Sequence, residues 1–220
     1  MNYKLKIKRL AGYVAPCISW ISWRSVKALF NHGVYYNLKP NDWKELQSKL
    51  SKDYYIILTR SNGYLSTHLV TLGHRFLTGQ KGHYSHALMN LEESTKPDIE
   101  TGFRLIEATS KGVHYSGFYD VFRCDSVAIL RPFGMKIRDW TNVFETLLKQ
   151  EGKKYDNFMD LKSDQEINCV ELVRKALQSL PDYETRFANF EALIQKYDGN
   201  LTPDMFYNCK DFVVVFEARR

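Results

Sequence analysis

Ile167-Asn168-Cys169-Val170-Glu171-Leu172-Val173 is the stretch on which the reading of this chain turns. From Cys169 onward, Leu172, Val173, Ala176, Leu177 and Leu180 recur at helical spacing, and Pro181 stops the run. Ser163 and Asp164, just upstream, supply capping chemistry. The pattern predicts a half-buried helix with a thiol in or beside its first turn. A helix N-terminus favours thiolate, and thiolate is the nucleophilic form of cysteine. The competing reading is packing, because an unpaired Cys is among the most buried residue types. The segments on either side decide between the two.

Upstream of this helix the grammar is that of short strands. Tyr54-Tyr55-Ile56-Ile57-Leu58-Thr59 is an apolar, aromatic run typical of a buried strand, followed by the turn Ser61-Asn62-Gly63. Ser66 can cap a helix that runs to about Leu77. A polar glycine loop, Thr78 to Gly82, leads into a strand over 84–91. After a polar connection, Phe103 to Thr109 reads as the return strand, so the two should pair as a hairpin. Lys111-Gly112 turns the chain into the short run Val113-His114-Tyr115, and Ser126 to Leu130 is a further strand ended by Arg131-Pro132. Ile137 to Gln150 is helical. The segment from Tyr155 to Phe158 is irregular, ahead of the Cys169 helix. Beyond that helix, an amphipathic run from Phe187 to Tyr197 ends at Gly199. Thr202-Pro203 marks another helix start, and Asp211 to Glu217 is a Val-rich strand. Helices, a meander of strands, then helices and one strand describe an α+β fold, with one antiparallel sheet flanked by helices.

Residues 1–50 read as a helical N-terminal extension and residues 51–220 as the main domain. In the extension, Trp20, Trp23, Val26 and Phe30 fall at helical spacing, and Trp43, Leu46 and Leu50 form a second stripe. The apolar stretch Leu10 to Trp23 follows four basic residues, yet Gly12, Pro16, Ser19 and Ser22 interrupt it and no cleavage signature follows. It is too short and broken to span a bilayer, although its Trp residues suit a membrane surface. The aromatic share of 14 % argues against disorder. Cys17, Cys124, Cys169 and Cys209 lie far apart with no CxxC pair, which suits neither a zinc site nor a dense disulfide framework. A reducing, cytoplasmic setting is the expectation. The net charge of +6 permits an anionic partner, but no aromatic–basic repeat points to nucleic acid.

Thiol chemistry needs a base to take the proton and a group to orient that base. His86, at the start of a strand beside the glycine loop, is the best base. Glu107 is the best orienter, because a carboxylate inside an apolar strand demands a partner. If 86–91 and 103–109 pair, the two side chains approach across the hairpin. His83, in the loop, and His114, in a short exposed run, compete with His86. No metal-ligand spacing, Gly-rich phosphate loop or Gly-x-Ser-x-Gly elbow occurs, so no metal or cofactor is expected.

The succession Ile56-Ile57-Leu58-Thr59-Arg60, Tyr84-Ser85-His86, Leu105-Ile106-Glu107-Ala108, Ala128-Ile129-Leu130-Arg131-Pro132, Tyr155-Asp156 and Asn168-Cys169-Val170-Glu171-Leu172-Val173 resembles the permuted papain-like amidases of the YiiX type. These belong with the NlpC-type cysteine peptidases and the lecithin:retinol acyltransferases, and occur in bacteria and large DNA viruses. The resemblance covers about residues 51–210. It implies a permuted papain-like fold with the nucleophile helix last. Cys169 would be the nucleophile, His86 the general base and acid, and Glu107 the orienter. Tyr155 and Tyr84 would be substrate contacts. The implied activity is that of a thiol hydrolase of the amidase or peptidase type, acting on a peptide, amide or other acyl substrate. Val170 stands where the family usually has Ser, which bears on the helix start. The alternatives are a membrane-associated thiol acyltransferase or lipid acyl hydrolase, docked through the N-terminal segment, and a non-catalytic binding module on the same fold.

Overall fold

A computed structural model describes residues 38–61, 65–91, 104–156 and 165–219, without the side chains of Leu65 and Ser66. The expected Trp20–Phe30 stripe and the capping pair Ser163 and Asp164 lie outside these residues. The elements, in chain order, are α1 (Pro40–Leu50), β1 (Ile56–Arg60), α2 (Leu65–Thr78), β2 (His86–Asn90), β3 (Leu105–Thr109), β4 (Gly112–Ser116) and the single turn α3 (Phe118–Val121). They continue with β5 (Ser126–Pro132), α4 (Ile137–Leu148), β6 (Lys154–Tyr155), β7 (Glu166–Ile167), α5 (Cys169–Leu177), α6 (Tyr183–Arg186), α7 (Ala188–Lys196), α8 (Pro203–Asn208) and β8 (Phe212–Arg219).

Six strands form one sheet in the order β4-β3-β2-β1-β5-β8, and every pairing in it is antiparallel. The expected α+β fold, an antiparallel sheet flanked by helices, is therefore what the chain adopts. Both faces of the central strands are covered, which is why these strands read as nearly continuous apolar runs. Side chains alternate between the two cores with the period of a strand. Ile56, Leu58, Ala87, Met89, Ile106, Ala108, Ala128 and Leu130 face one core, beneath α4, α5, α7 and α8. Ile57, Leu88, Leu105, Val127 and Ile129 face the other, beneath α1 and α3. Leu46 and Leu50 of α1 are buried in that second core, so this part of the expected extension shares the packing of the sheet.

The hairpin expected between 86–91 and 103–109 forms, with Leu88 opposite Glu107 and Asn90 opposite Leu105. The chain then turns tightly into β4, pairing Thr109 with Gly112 and Glu107 with His114. Gly112 is held at φ +91°, and its backbone runs against the 152–154 segment, with Val113 N–H donating to Lys153 O at 2.8 Å. An added Cβ would stand 2.4 Å from Lys153 O. On the far side, Phe190, Phe206 and Phe212 join α7, α8 and β8, with ring centroids 4.5 Å apart for Phe190–Phe206 and 5.3 Å for Phe206–Phe212. α5 packs on β2, β3 and α4, which sets its first turn over the start of β2.

Gly112→Ala is expected to cost about 1–3 kcal/mol, from the left-handed backbone together with the clash at Lys153 O. Gly79→Ala, at φ +75° with open space around it, isolates the backbone part of that penalty. Urea titration of the two variants checks this, and Gly112→Ala should lose clearly more.

Candidate active site

The site is assembled where the first turn of α5 meets the start of β2. The helix is capped by Asn168, whose side-chain oxygen accepts from the N–H groups of Val170 (3.1 Å) and Glu171 (3.0 Å). Glu171 reaches back to the Asn168 N–H at 2.8 Å, which completes a capping box. Asn168, rather than the expected Ser163 or Asp164, thus does the capping. The signal was present as Asn followed three residues later by Glu. The cap engages the N–H groups of Val170 and Glu171 but not that of Cys169. Cys169 therefore stands at the first helical position, with the positive end of the helix dipole behind its thiol.

His86 and Glu107 are diagonal neighbours on paired strands, within reach of long side chains. His86 Nε2 lies 2.6 Å from Glu107 Oε2. The ring is also hydrogen-bonded to the Cys169 side chain. With Nε2 engaged by the carboxylate, Nδ1 is the nitrogen left for the thiol. The structure thus brings together the three residues that the sequence singled out. Glu107 has further partners that the sequence reading did not assign. The Ser116 hydroxyl donates to Oε1, and His114 Nε2 stands 3.7 Å from the same oxygen. His114, read from the sequence as a competitor of His86, instead flanks Glu107 from β4, while its own Nδ1 contacts Gly112 O at 2.9 Å.

Burial opposes charge on all three groups, and their mutual contacts override it. Burial alone would lower the His86 pKa, but hydrogen bonds and charge from Cys169 and Glu107 push it up to about 10. Burial would raise the Glu107 carboxyl, yet His86, Ser116 and His114 hold it down at about 2. Burial likewise works against the Cys169 thiolate, and His86, the Ala87 backbone N–H and the Tyr155 hydroxyl reverse this, so the thiol is lowered from its ordinary value. The balance favours a thiolate–imidazolium–carboxylate row. The other described thiols differ. Burial pushes Cys209 up to about 11, and Cys124 is buried in the second core.

Tyr155 reaches the thiol through backbone pairing. β6 and β7 run parallel, with Tyr155 opposite Ile167, two residues before Cys169. Burial, the Cys169 charge and Asp156 keep its hydroxyl protonated, so it is a donor to sulfur. Tyr84 is placed otherwise than expected. It is wholly buried in the core, donates its hydroxyl to Glu217 Oε1 at 2.5 Å and packs at a tilt against Tyr207, so it is closed off from solvent. The loop that carries Tyr84 is pinned by its backbone. Asp204, fully buried at the start of α8, accepts from the His83 N–H at 2.7 Å and from the Tyr84 N–H at 3.2 Å. Cys169 is 6 % exposed and the His86 side chain 23 %, so the imidazole is the more accessible of the two groups. Two open surface concavities, one walled by Tyr207, Glu217 and Arg219 and the other by Leu38, Trp43 and Tyr119, include none of these side chains.

The stability that Glu107 contributes through its lowered pKa is full above its ordinary value of 4.5 and is lost as pH falls through about 2. The stability difference between wild type and Glu107→Gln should therefore shrink as acid is added between those values. Urea unfolding at a series of pH values measures it, and a constant difference across that window would contradict the ion pair.

No known family profile matches the chain, and no curated protein matches its sequence. Among solved structures, the chain is similar to YiiX of Escherichia coli O157:H7, described as a metalloprotein, with a TM-score of 0.55 and 18 % identity over 76 % of this chain and 97 % of that one. Among the described residues here, no three His, Cys, Asp or Glu side chains converge as metal ligands. The Glu107 oxygens are instead engaged by His86 and Ser116. What the comparison shows is the architecture: a six-stranded antiparallel sheet flanked by helices, in a YiiX-like fold.

Proposed function

We propose that this protein is a cysteine hydrolase of the amidase or peptidase type, using Cys169, His86 and Glu107 as a triad on a permuted papain-like fold. The observation that carries the reading is the row of contacts at the α5 N-terminus. The thiol is bonded to an imidazole whose other nitrogen is held 2.6 Å from a buried carboxylate. Packing alone supplies no reason for three ionisable groups to share a low-dielectric site in this order.

The Cys169 thiolate attacks the carbonyl carbon of an amide, and the carbonyl π electrons move to oxygen. The Cys169 backbone N–H, unused by the cap, serves as the donor to that oxyanion, and the Tyr155 hydroxyl, bonded to the sulfur, is a further donor close to the reacting atom. The His86 imidazolium then gives its proton to the leaving amine as the C–N bond breaks, which leaves a thioester on Cys169. Neutral His86 next takes a proton from water, whose oxygen attacks the thioester. Collapse expels the thiolate, releases the carboxylic acid and restores the imidazolium. Glu107 keeps its charge throughout and orients the ring, as the third member of such triads does.

Site-resolved alkylation by iodoacetamide tests this without a known substrate. Cys169 should react well below the ordinary thiol value of 9, and Cys209, raised to about 11, serves as the internal control. His86→Ala should move Cys169 reactivity up to the pH range of an ordinary or buried thiol. A Cys169 rate that follows Cys209, or is indifferent to His86→Ala, would favour the binding-module reading instead.

A further inference from the structure

α2 is amphipathic in the reverse sense. Leu69, Leu72 and Phe76 recur at i, i+3 and i+7 on one face, and they are 38 %, 46 % and 83 % exposed. The opposite face, turned to the protein, carries buried Thr71 and His74. This orientation is fixed by specific bonds. His74 Nδ1 is 2.7 Å from the Thr202 hydroxyl at the start of α8. The Thr71 hydroxyl donates within the helix to His68 O at 3.0 Å. The Gly82 backbone, on the loop leading to His86, lies against Thr71 so closely that a Cβ there would stand 2.8 Å from its carbonyl oxygen. Turning the apolar stripe inward would break the His74–Thr202 bond and the packing of Gly82 on Thr71, while the Thr71 bond to His68 O, being internal to the helix, only satisfies that hydroxyl. A monomer that left such a stripe in water would gain nothing from it, and exposed apolar patches of this kind mark interaction surfaces.

Charge identifies the partner. No Asp or Glu occurs from Tyr54 to Leu91, whereas Arg60, Arg75 and Lys81 do; Arg75, next to Phe76 in α2, and Lys81, in the loop that follows, are exposed. Residues 1–41 likewise carry seven Lys and Arg and no acid. A second copy seated on the stripe through the same face would bring Arg75 and Lys81 against their own counterparts, which argues against it. An anionic surface instead attracts these side chains, as it attracts any acid-free basic stretch of this chain. An exposed Leu/Phe stripe flanked by basic residues on a helix lying along the protein surface is the pattern of interfacial docking. No helix among the described residues is long and apolar enough to cross a membrane.

We infer that the Leu69–Leu72–Phe76 face of α2 docks on an anionic lipid bilayer, with its apolar side chains inserted at the headgroup boundary and Arg75 and Lys81 on the phosphates. The loop packed behind α2 continues into β2, which begins at His86. The inference does not depend on the thiol chemistry, and Cys169→Ser should bind as wild type does.

The test is co-sedimentation of the full chain with vesicles of phosphatidylcholine alone and of phosphatidylcholine mixed with phosphatidylserine. Wild type and Cys169→Ser should partition onto the mixed vesicles and release at high salt. Phe76→Asp and, separately, Arg75→Glu should each reduce partitioning by about tenfold or more. Both side chains are exposed, so circular dichroism and melting should match wild type; Leu72→Ser provides a milder third variant should Phe76→Asp not fold. Absence of wild-type binding to the mixed vesicles overturns the proposal. Undiminished binding by Phe76→Asp and Arg75→Glu also overturns it and assigns docking to another part of the chain. A change of oligomeric state in Phe76→Asp with no change in vesicle binding overturns it in favour of a second copy.

Discussion

A carboxylate in the middle of an apolar strand can stay charged only if the surrounding chain brings it partners, and Glu107 is in that position. Its neighbours on β3, Ile106 and Ala108, are fully buried. β2 supplies the His86 ring on one side, while β4 supplies Ser116 and His114 on the other. The pairings that close the core around Glu107 are thus the same ones that satisfy its charge. A slip of one residue in either pairing would put Glu107 and the partners from that strand on opposite faces of the sheet. The ion pair and the register of the hairpin are therefore one constraint, and the imidazole is aimed at the thiol because that constraint holds.

The sheet was readable because its strands obey strong local rules. The short runs at 54–59, 84–91 and 126–130 are bounded by turn chemistry, and each became a strand within a few residues of its expected limits. The β3–β4 register was implicit in the tight Ser110-Lys111 turn, which sets Glu107 opposite His114 and makes Ser116 a neighbour. Along the chain His114 reads as a rival of His86, whereas across the turn it is the neighbour of Glu107. The β2–β3 register was less accessible, since a long polar connection fixes no pairing by itself. The helix cap was less legible because Ser163 and Asp164 also offer capping chemistry ahead of the helix, while Asn168 stands beside the thiol it serves.

Tertiary contacts overrode local expectation in the approach to β2. The family resemblance implies a substrate contact at Tyr84, two positions from the histidine. The contact that decides its position lies far away in sequence, on α8, where the buried Asp204 carboxylate holds the amides of residues 83 and 84. Thr202, expected to cap that helix, does occupy the cap position, but its hydroxyl is engaged by His74 instead. The same pair of contacts explains the orientation of α2. Polar anchors reach inward because α8 offers them partners, and the apolar positions are left on the outside.

The parallel bridge between Tyr155 and Ile167 has a consequence for how such a chain can diverge. It clamps the two ends of the intervening excursion side by side, immediately before the nucleophile. The distance from tyrosine to thiol is then set by the bridge and by the two residues that follow it, whatever the length of chain between the clamped ends. Insertions and deletions in that excursion are decoupled from the reacting geometry. Lineages sharing this bridge can remodel what surrounds the thiol while the nucleophile and its neighbouring donor keep their spacing.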